Sequence, residues 1–353
     1  MTTSQPPDRS GAEGTGELAG LAALAGRHIR TCATGRSALA LAAAAVPIRD
    51  ARRVVHLPFY CCPSVAHPFV DAGFETRFYS QGTDLEAEPD ATPAPGEVFL
   101  FIHWFGFPNR PADRFARSFG PLRPHVVEDC VPASLRAFAP DASPSPAADY
   151  TVYSFRKVLP VPDGALLASR VPVGGRLRPS DEDFVAAALA SLCAAETRGT
   201  PEGFRTFRRR TLEAEARLDA DSVAREASPG WIGRLRRLDP LSAVAKRRTN
   251  ARLLASLLPP VLRPLRREIP EDAAPLCLPV VLERGSRDEL LRRLRAARVA
   301  EPLAWDVNPE PGERFGPDRD IARRVVALPV GQEIDGEEVV RLAEVVRNAA
   351  ERA

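Results

Sequence analysis

The sequence predicts an α/β fold in two parts: a large domain built on a mainly parallel sheet with helices on both faces, and a smaller α+β domain at the C-terminal end. Three observations predict it. From Arg53 to Ala168, short apolar, β-branched runs alternate with short helix-forming runs, the pattern of strands joined by crossover helices. Beyond about Ser180 the alternation gives way to long amphipathic stretches with few strands. His103, Asp129 and Lys157 fall at or just past the ends of expected strands, where open α/β sheets bind their ligands.

A chain of 353 residues, 44% of them hydrophobic, is long enough to bury a core in each of two lobes. The net charge of +2 comes from interspersed charges with no basic stripe, which argues against nucleic acid as the main partner. No apolar run approaches the roughly 18–20 residues that cross a bilayer, so no membrane association is expected. Residues 1–17 are polar and lack the basic start and apolar core of a secretory signal. They read as a disordered tail, followed by a large domain over 18–245 and a small one over 246–353. The six cysteines have no zinc-type spacing and are expected as reduced thiols in a cytoplasmic protein.

Taken in order, Leu18 to Arg30 is Ala-rich and predicts a helix leading into the fold. Thr34-Gly-Arg-Ser37 then opens a second helix through Ala45, closed by Pro47. Its first turn leaves backbone N–H groups free, a natural seat for an anion such as phosphate, although a plain capped helix has the same pattern. Strands follow at Arg53–Leu57, Thr76–Tyr79, Glu97–His103, His125–Asp129, Asp149–Phe155 and Gly164–Ala168, with helices at Ser64–Ala72 and Pro111–Phe119 between them. Long helices are expected at Asp181–Thr197, Glu202–Glu226 and Trp231–Leu258, the last broken by Pro259-Pro260. Their many arginines predict solvated faces paired with nearby acids. A strand at Leu276–Leu282, a helix at Arg287–Arg298, a short strand at Val326–Val330 and a closing helix at Asp335–Glu351 complete the chain.

Lys157 carries the chemical argument. Of 48 basic residues only two are lysine, Lys157 and Lys246. Arginine is never deprotonated in a protein, whereas a desolvated lysine becomes a free amine able to form a Schiff base. A phosphate-ready helix start, an acid at a strand end and this lysine together suit pyridoxal 5′-phosphate, which needs N–H donors for its phosphate, a carboxylate for its ring nitrogen and an amine for its aldehyde. Each residue also has a plainer reading. Asp129 can cap the turn that follows it, His103 can be a satisfied core histidine, Cys61, Cys62 and Cys130 can be packed small residues, Trp104 and Trp305 can be packing aromatics, and Asp163-Gly164 is first a turn.

The motifs Thr34-Gly-Arg-Ser-Ala-Leu39, Leu57-Pro-Phe-Tyr-Cys-Cys-Pro63, His103-Trp-Phe-Gly106, Val127-Glu-Asp-Cys130 and Tyr153-Ser-Phe-Arg-Lys157 resemble, in order and rough spacing, those of the DegT/DnrJ/EryC1/StrS family of fold-type I pyridoxal-phosphate aminotransferases. The resemblance covers about residues 30–170 and continues more loosely through 287–347, with little to match between about 195 and 245. It implies that Lys157 would bond the cofactor's aldehyde and shuttle the proton, that Asp129 would pair with the ring nitrogen, and that Gly35, Arg36, Ser37 and Ser154 would hold the phosphate. Tyr60 and Cys62 would lie against the ring, and His103 near the cofactor or substrate mouth. It further implies a homodimer acting on an amino donor and a small-molecule carbonyl acceptor, often a nucleotide-linked keto sugar.

Three positions depart from the family's pattern. Pro132 stands where a Gln or His commonly contacts the ring hydroxyl, Cys62 where an aromatic often stacks, and Lys157 follows Ser154 by three residues where five is common. Two other activities compete: a dehydration or elimination with the same cofactor, against which a lysine rather than a histidine at 157 counts, and a non-catalytic relative acting as a binding partner, which Pro132 favours. An unrelated nucleotide-binding enzyme is opposed by the lack of a Gly-x-Gly-x-x-Gly or Gly-Lys-Ser/Thr loop.

Overall fold

In the computed structural model the described residues are 26–47, 53–139, 144–219, 223–300 and 313–353, with Leu21, Leu24, Ala142 and Ala304. The expected tail at 1–17 and Trp305 lie outside them. The order of elements is β1 (His28–Cys32), α1 (Gly35–Ala45), β2 (Val54–Pro58), α2 (Pro63–Asp71), β3 (Glu75–Tyr79), β4 (Val98–Ile102), α3 (Arg110–Arg117), β5 (His125–Asp129), β6 (Tyr150–Ser154), β7 (Ala165–Ser169), α4 (Glu182–Ala195), α5 (Pro201–Asp219), α6 (Trp231–Leu235), α7 (Pro240–Ser256), β8 (Leu262–Pro264), β9 (Cys277–Leu282), α8 (Arg287–Ala296), α9 (Gly316–Arg324), β10 (Val325–Pro329) and α10 (Gly336–Ala350).

Seven strands form one sheet in the order β1-β7-β6-β5-β4-β2-β3, and three form a second in the order β10-β9-β8. In the large sheet β2, β3, β4, β5 and β6 run parallel to one another, and β7 is antiparallel to both β6 and β1. The central strands read as unbroken apolar runs because both faces are covered: Val98-Phe-Leu-Phe-Ile102 is buried throughout. The small sheet is antiparallel. Thus the expected α/β layout, mainly parallel and followed by a smaller sheet with helices, is the observed one.

Three expectations need correction. The helix expected over Glu202–Glu226 is α5, Pro201–Asp219, and Arg225 forms an isolated bridge with Arg178 instead. Where Leu18–Arg30 was expected to be helical, His28–Arg30 belongs to β1, paired with β7 from His28↔Ser169 to Cys32↔Ala165. Gly26 at φ 78° interrupts any helix there, and the free edge of β7 supplies a pairing partner that outweighs alanine's local preference. The single helix expected over Trp231–Leu258 is two, α6 and α7. Asp239 caps the second through the Ser242 N–H at 3.0 Å, and Pro240 takes its first position, where a missing N–H costs nothing. Strand β8 and helix α9 carry no clear sequence signal and were not expected.

Helix α7 runs across residue 245. Ala243 and Val244 pack with Tyr153, Phe155 and Trp231 beneath the large sheet, while Ala251 and Leu254 pack with Leu278, Val280 and Val346 of the C-terminal part. Among the described residues no helix is long and apolar enough to cross a membrane.

Candidate active site

The carboxyl ends of β4, β5 and β6 lie level, since Ile102 pairs with Asp129 and Asp129 with Val152. Strand β1 is antiparallel to β7, so it points the same way as β6 and delivers α1 to the same edge of the sheet. Helix α2, entered through Cys62 after β2, arrives there too. One cleft of about 750 Å³, counting space open to solvent, lies along this edge and is lined by Gly35, Arg36, Cys62, Asp129, Ser154 and Lys157, among others.

Each of these is held by its local structure. Thr34 caps α1 through the Ser37 N–H at 3.2 Å, leaving the N–H groups of Gly35 and Arg36 without an intrahelical acceptor. No acid stands in the first turn of α1 to neutralise the positive end of the helix. Gly35 must be glycine because a Cβ there would lie 2.8 Å from Val131 Cγ2. Asp129 ends β5, and its Oδ1 accepts the Val131 N–H at 2.7 Å. Residues Phe155–Lys157 form one 3-10 turn after β6. Positions three apart eclipse in such a turn, so the short step from Ser154 to Lys157 still brings both to the cleft. The loop returns to β7 through Gly164, at φ 107°, whose carbonyl accepts the Phe155 N–H at 3.0 Å. Asp163 anchors the loop by accepting from the Ser228 N–H at 2.6 Å and hydroxyl at 2.7 Å.

The remaining expected residues lie behind the cleft wall. Ser37 is buried, with its hydroxyl 3.2 Å from that of Thr34 and accepting the Arg225 N–H at 3.2 Å. Tyr60 is buried; its carbonyl accepts the Trp104 indole N–H at 2.8 Å. His103 is buried. Its Nδ1 accepts the Asn109 N–H at 2.9 Å, which leaves Nε2 protonated and donating to Glu128 at 2.8 Å. Glu128 also accepts from the Ser145 N–H at 2.9 Å and the Thr151 hydroxyl at 3.0 Å. Donor atoms of His103, Glu128 and Cys130 lie within 4.8 Å of one another, but these bonds already occupy both imidazole nitrogens and both Glu128 oxygens.

Burial pushes the Asp129 carboxyl up to about 6, against the Val131 N–H and Lys157, which favour its ionised form. At Lys157 the crowding protein around the amine, joined by the Arg156 guanidinium, lowers the pKa, while Cys62, Glu215 and Asp129 oppose the change. Lys157 is nevertheless exposed by surface area, since the cleft is open. Water reaches the amine through this opening. Among the described residues its amine has no hydrogen-bond or ion-pair partner.

Helix α5 supplies the wall that sequence reasoning missed. Glu215 and Leu218 line the cleft, and Arg156 donates to Glu215 at 2.6 and 3.3 Å. Burial raises the Glu215 pKa, but Arg156, Lys157 and Arg36 outweigh it and hold the carboxyl below the usual range. An Arg-rich amphipathic helix gives no sign in sequence that one of its acids faces a cleft. Pro132 also lines the cleft.

No protein-family model and no curated protein matches the chain by sequence. Solved structures do match it in shape. The aminotransferase TlmJ from Streptoalloteichus hindustanus superposes with a TM-score of 0.68 at 18% identity, over 95% of this chain and 90% of that one. A DegT DnrJ EryC1 StrS aminotransferase from Brucella abortus matches with a TM-score of 0.61 at 14% identity, over 96% and 90%. The chain has the fold of these aminotransferases. The putative sugar aminotransferase Spr1654 from Streptococcus pneumoniae, in its PLP form, shares that fold with a TM-score of 0.65 at 13% identity, over 97% and 92%. The fold-type I architecture expected from the motifs is therefore present, and it accounts for the meeting of α1, β5 and the Lys157 loop at one edge of the sheet.

Proposed function

We propose that the protein is a pyridoxal-phosphate-dependent aminotransferase that moves an amino group from an amino-acid donor to a small carbonyl substrate, with a nucleotide-linked keto sugar as the acceptor class. The observation that carries this reading is the convergence of Lys157, Asp129 and the uncapped N–H groups of α1 on one cleft.

The residues fit the cofactor on the structure's own terms. Lys157 offers an amine with no hydrogen-bond or ion-pair partner among the described residues, its proton affinity lowered by burial and by Arg156, and the amine acts as a nucleophile once deprotonated. Asp129 faces the cleft with one oxygen bonded to Val131, and a cationic ring nitrogen would offset the burial that now raises its pKa. The N–H groups of Gly35 and Arg36, with the hydroxyls of Thr34 and Ser154, suit a phosphate. Ser37, already engaged with Thr34 and Arg225, would act by holding the α1 cap. Tyr60 and His103 would support the loops that carry Cys62 and Asp129. Bound pyridoxal phosphate supplies an electron sink that stabilises negative charge at the donor's α-carbon. With the cofactor bound, Lys157 Nζ would be the base that takes the proton from that carbon and gives it up again within the same half of the cycle, and in the other half its protonated form would deliver a proton to the acceptor's carbon.

We also place the protein in the cytoplasm as a homodimer, supported by its unpaired cysteines and by the resemblance. Pro132 lines the cleft with no donor to offer, which favours a second reading: a fold-type I relative that binds the cofactor without turnover. An absorbance spectrum separates them. With added pyridoxal phosphate the purified chain should develop a band near the visible edge that is lost in Lys157→Ala, and glutamate should bleach it by conversion to the amine form. A band that glutamate leaves unchanged supports the second reading; no band at all removes both.

A further inference from the structure

We propose that Arg36 and Arg156 form an oxyanion-binding pair in the cleft, held in the free protein by two carboxylates of α5 that a carboxylate or phosphate group of the ligand displaces. The inference deepens the reading above by naming how the charged part of a substrate is received.

Glu215 and Asp219 stand four residues apart, on one face of α5. Glu215 accepts both hydrogen bonds of Arg156, and Asp219 accepts from Arg36 Nη2. The two sides of these pairs are unequal. The arginine side chains are 16% and 18% exposed, their acids 42% and 66%. An exposed carboxylate returns to water with little loss, whereas the guanidiniums are fixed in the wall. Guanidinium forks match carboxylate and phosphate oxygens in pairs. An oxyanion in the cleft that Arg36, Arg156 and Lys157 line can replace the α5 carboxylates on both guanidiniums.

The test is titration calorimetry on the full chain without added cofactor, using inorganic phosphate in one arm and glutarate in the other. It is run on the wild type, on Glu215→Gln/Asp219→Asn and on Arg156→Gln. The amides of α1 bind phosphate whatever stands on α5, so the change between variants isolates the guanidiniums. Removing the competing acids should tighten binding about tenfold, and removing Arg156 should weaken it at least as much. A response to phosphate alone identifies a phosphate group as the natural occupant, and to glutarate alone a carboxylate. Unchanged or weaker binding of both anions by the double variant overturns the proposal and leaves the acids as clamps. Should the double variant fail to fold, hydrogen exchange on the wild type decides: added anion should deprotect the amides of 213–219, and unaltered exchange there overturns the idea. No pyridoxal phosphate is involved, so failure here is distinct from failure of the aminotransferase reading.

Discussion

The Asp129 carboxylate accepts the Val131 N–H at 2.7 Å while lining the cleft beside Lys157. The same side chain thus caps the turn after β5 and lines the cleft.

That arrangement gives a pH signature. Burial raises the Asp129 pKa from 3.8 to about 6, so the folded state binds this proton more tightly than the unfolded state. The resulting stability is fully present below about pH 4 and is lost as pH rises through about 6. A shift of about two units corresponds to about 3 kcal/mol. Asp129→Asn preserves the acceptor for Val131 and cannot ionise. Urea unfolding from pH 3.5 to 7.5 should show the variant gaining on the wild type by up to about that amount above pH 6. A constant difference across the range would remove the buried-carboxylate assignment.

His103 should matter for stability and little for cofactor binding. Its imidazole connects the Asn109 N–H to Glu128 in the interior, and losing it leaves buried polar groups unpaired in a cavity. His103→Ala is expected to cost about 3 kcal/mol, read as a lowered urea midpoint. Its affinity for pyridoxal phosphate, measured by absorbance where it remains folded, should stay within about threefold of wild type. A stable variant that loses the cofactor would place His103 at the mouth of the site instead.

Gly164 sets the return of the Lys157 loop. At φ 107° it occupies a region other residues avoid, and a Cβ would approach Trp231 Cε3 to 2.4 Å. Gly164→Ala should destabilise the fold by about 2–4 kcal/mol and loosen Lys157, measured as a lower midpoint together with weaker cofactor absorbance. A variant as stable as wild type would show that the loop tolerates a different path.

Much of this was legible in the sequence, for identifiable reasons. The strand over His125–Asp129 carries Val126 and Val127 on opposite faces and ends on acids, so its extent was plain. Helix α1 is marked by Thr34 at one end and Pro47 at the other. Lys157 stood out because arginine replaces lysine almost everywhere else. What was missed depends on partners distant in sequence. His28–Cys32 is a strand because β7 offers it an edge, and Glu215 faces the cleft because α5 lies against Arg156. Motif position places Ser37 and His103 near the cleft but says nothing about which way a side chain turns. Their hydroxyl and imidazole are engaged by Thr34, Arg225, Asn109 and Glu128.

The most direct test of the account is to locate the lysine that bonds the cofactor. With only Lys157 and Lys246 in the chain, borohydride reduction in the presence of pyridoxal phosphate followed by peptide mass mapping gives a two-way answer. Lys246 is exposed on α7 and serves as an internal control. Stoichiometric reduction onto the peptide containing Lys157 is expected, with at most trace label on Lys246. Label on Lys246 alone, or on neither lysine, would contradict it.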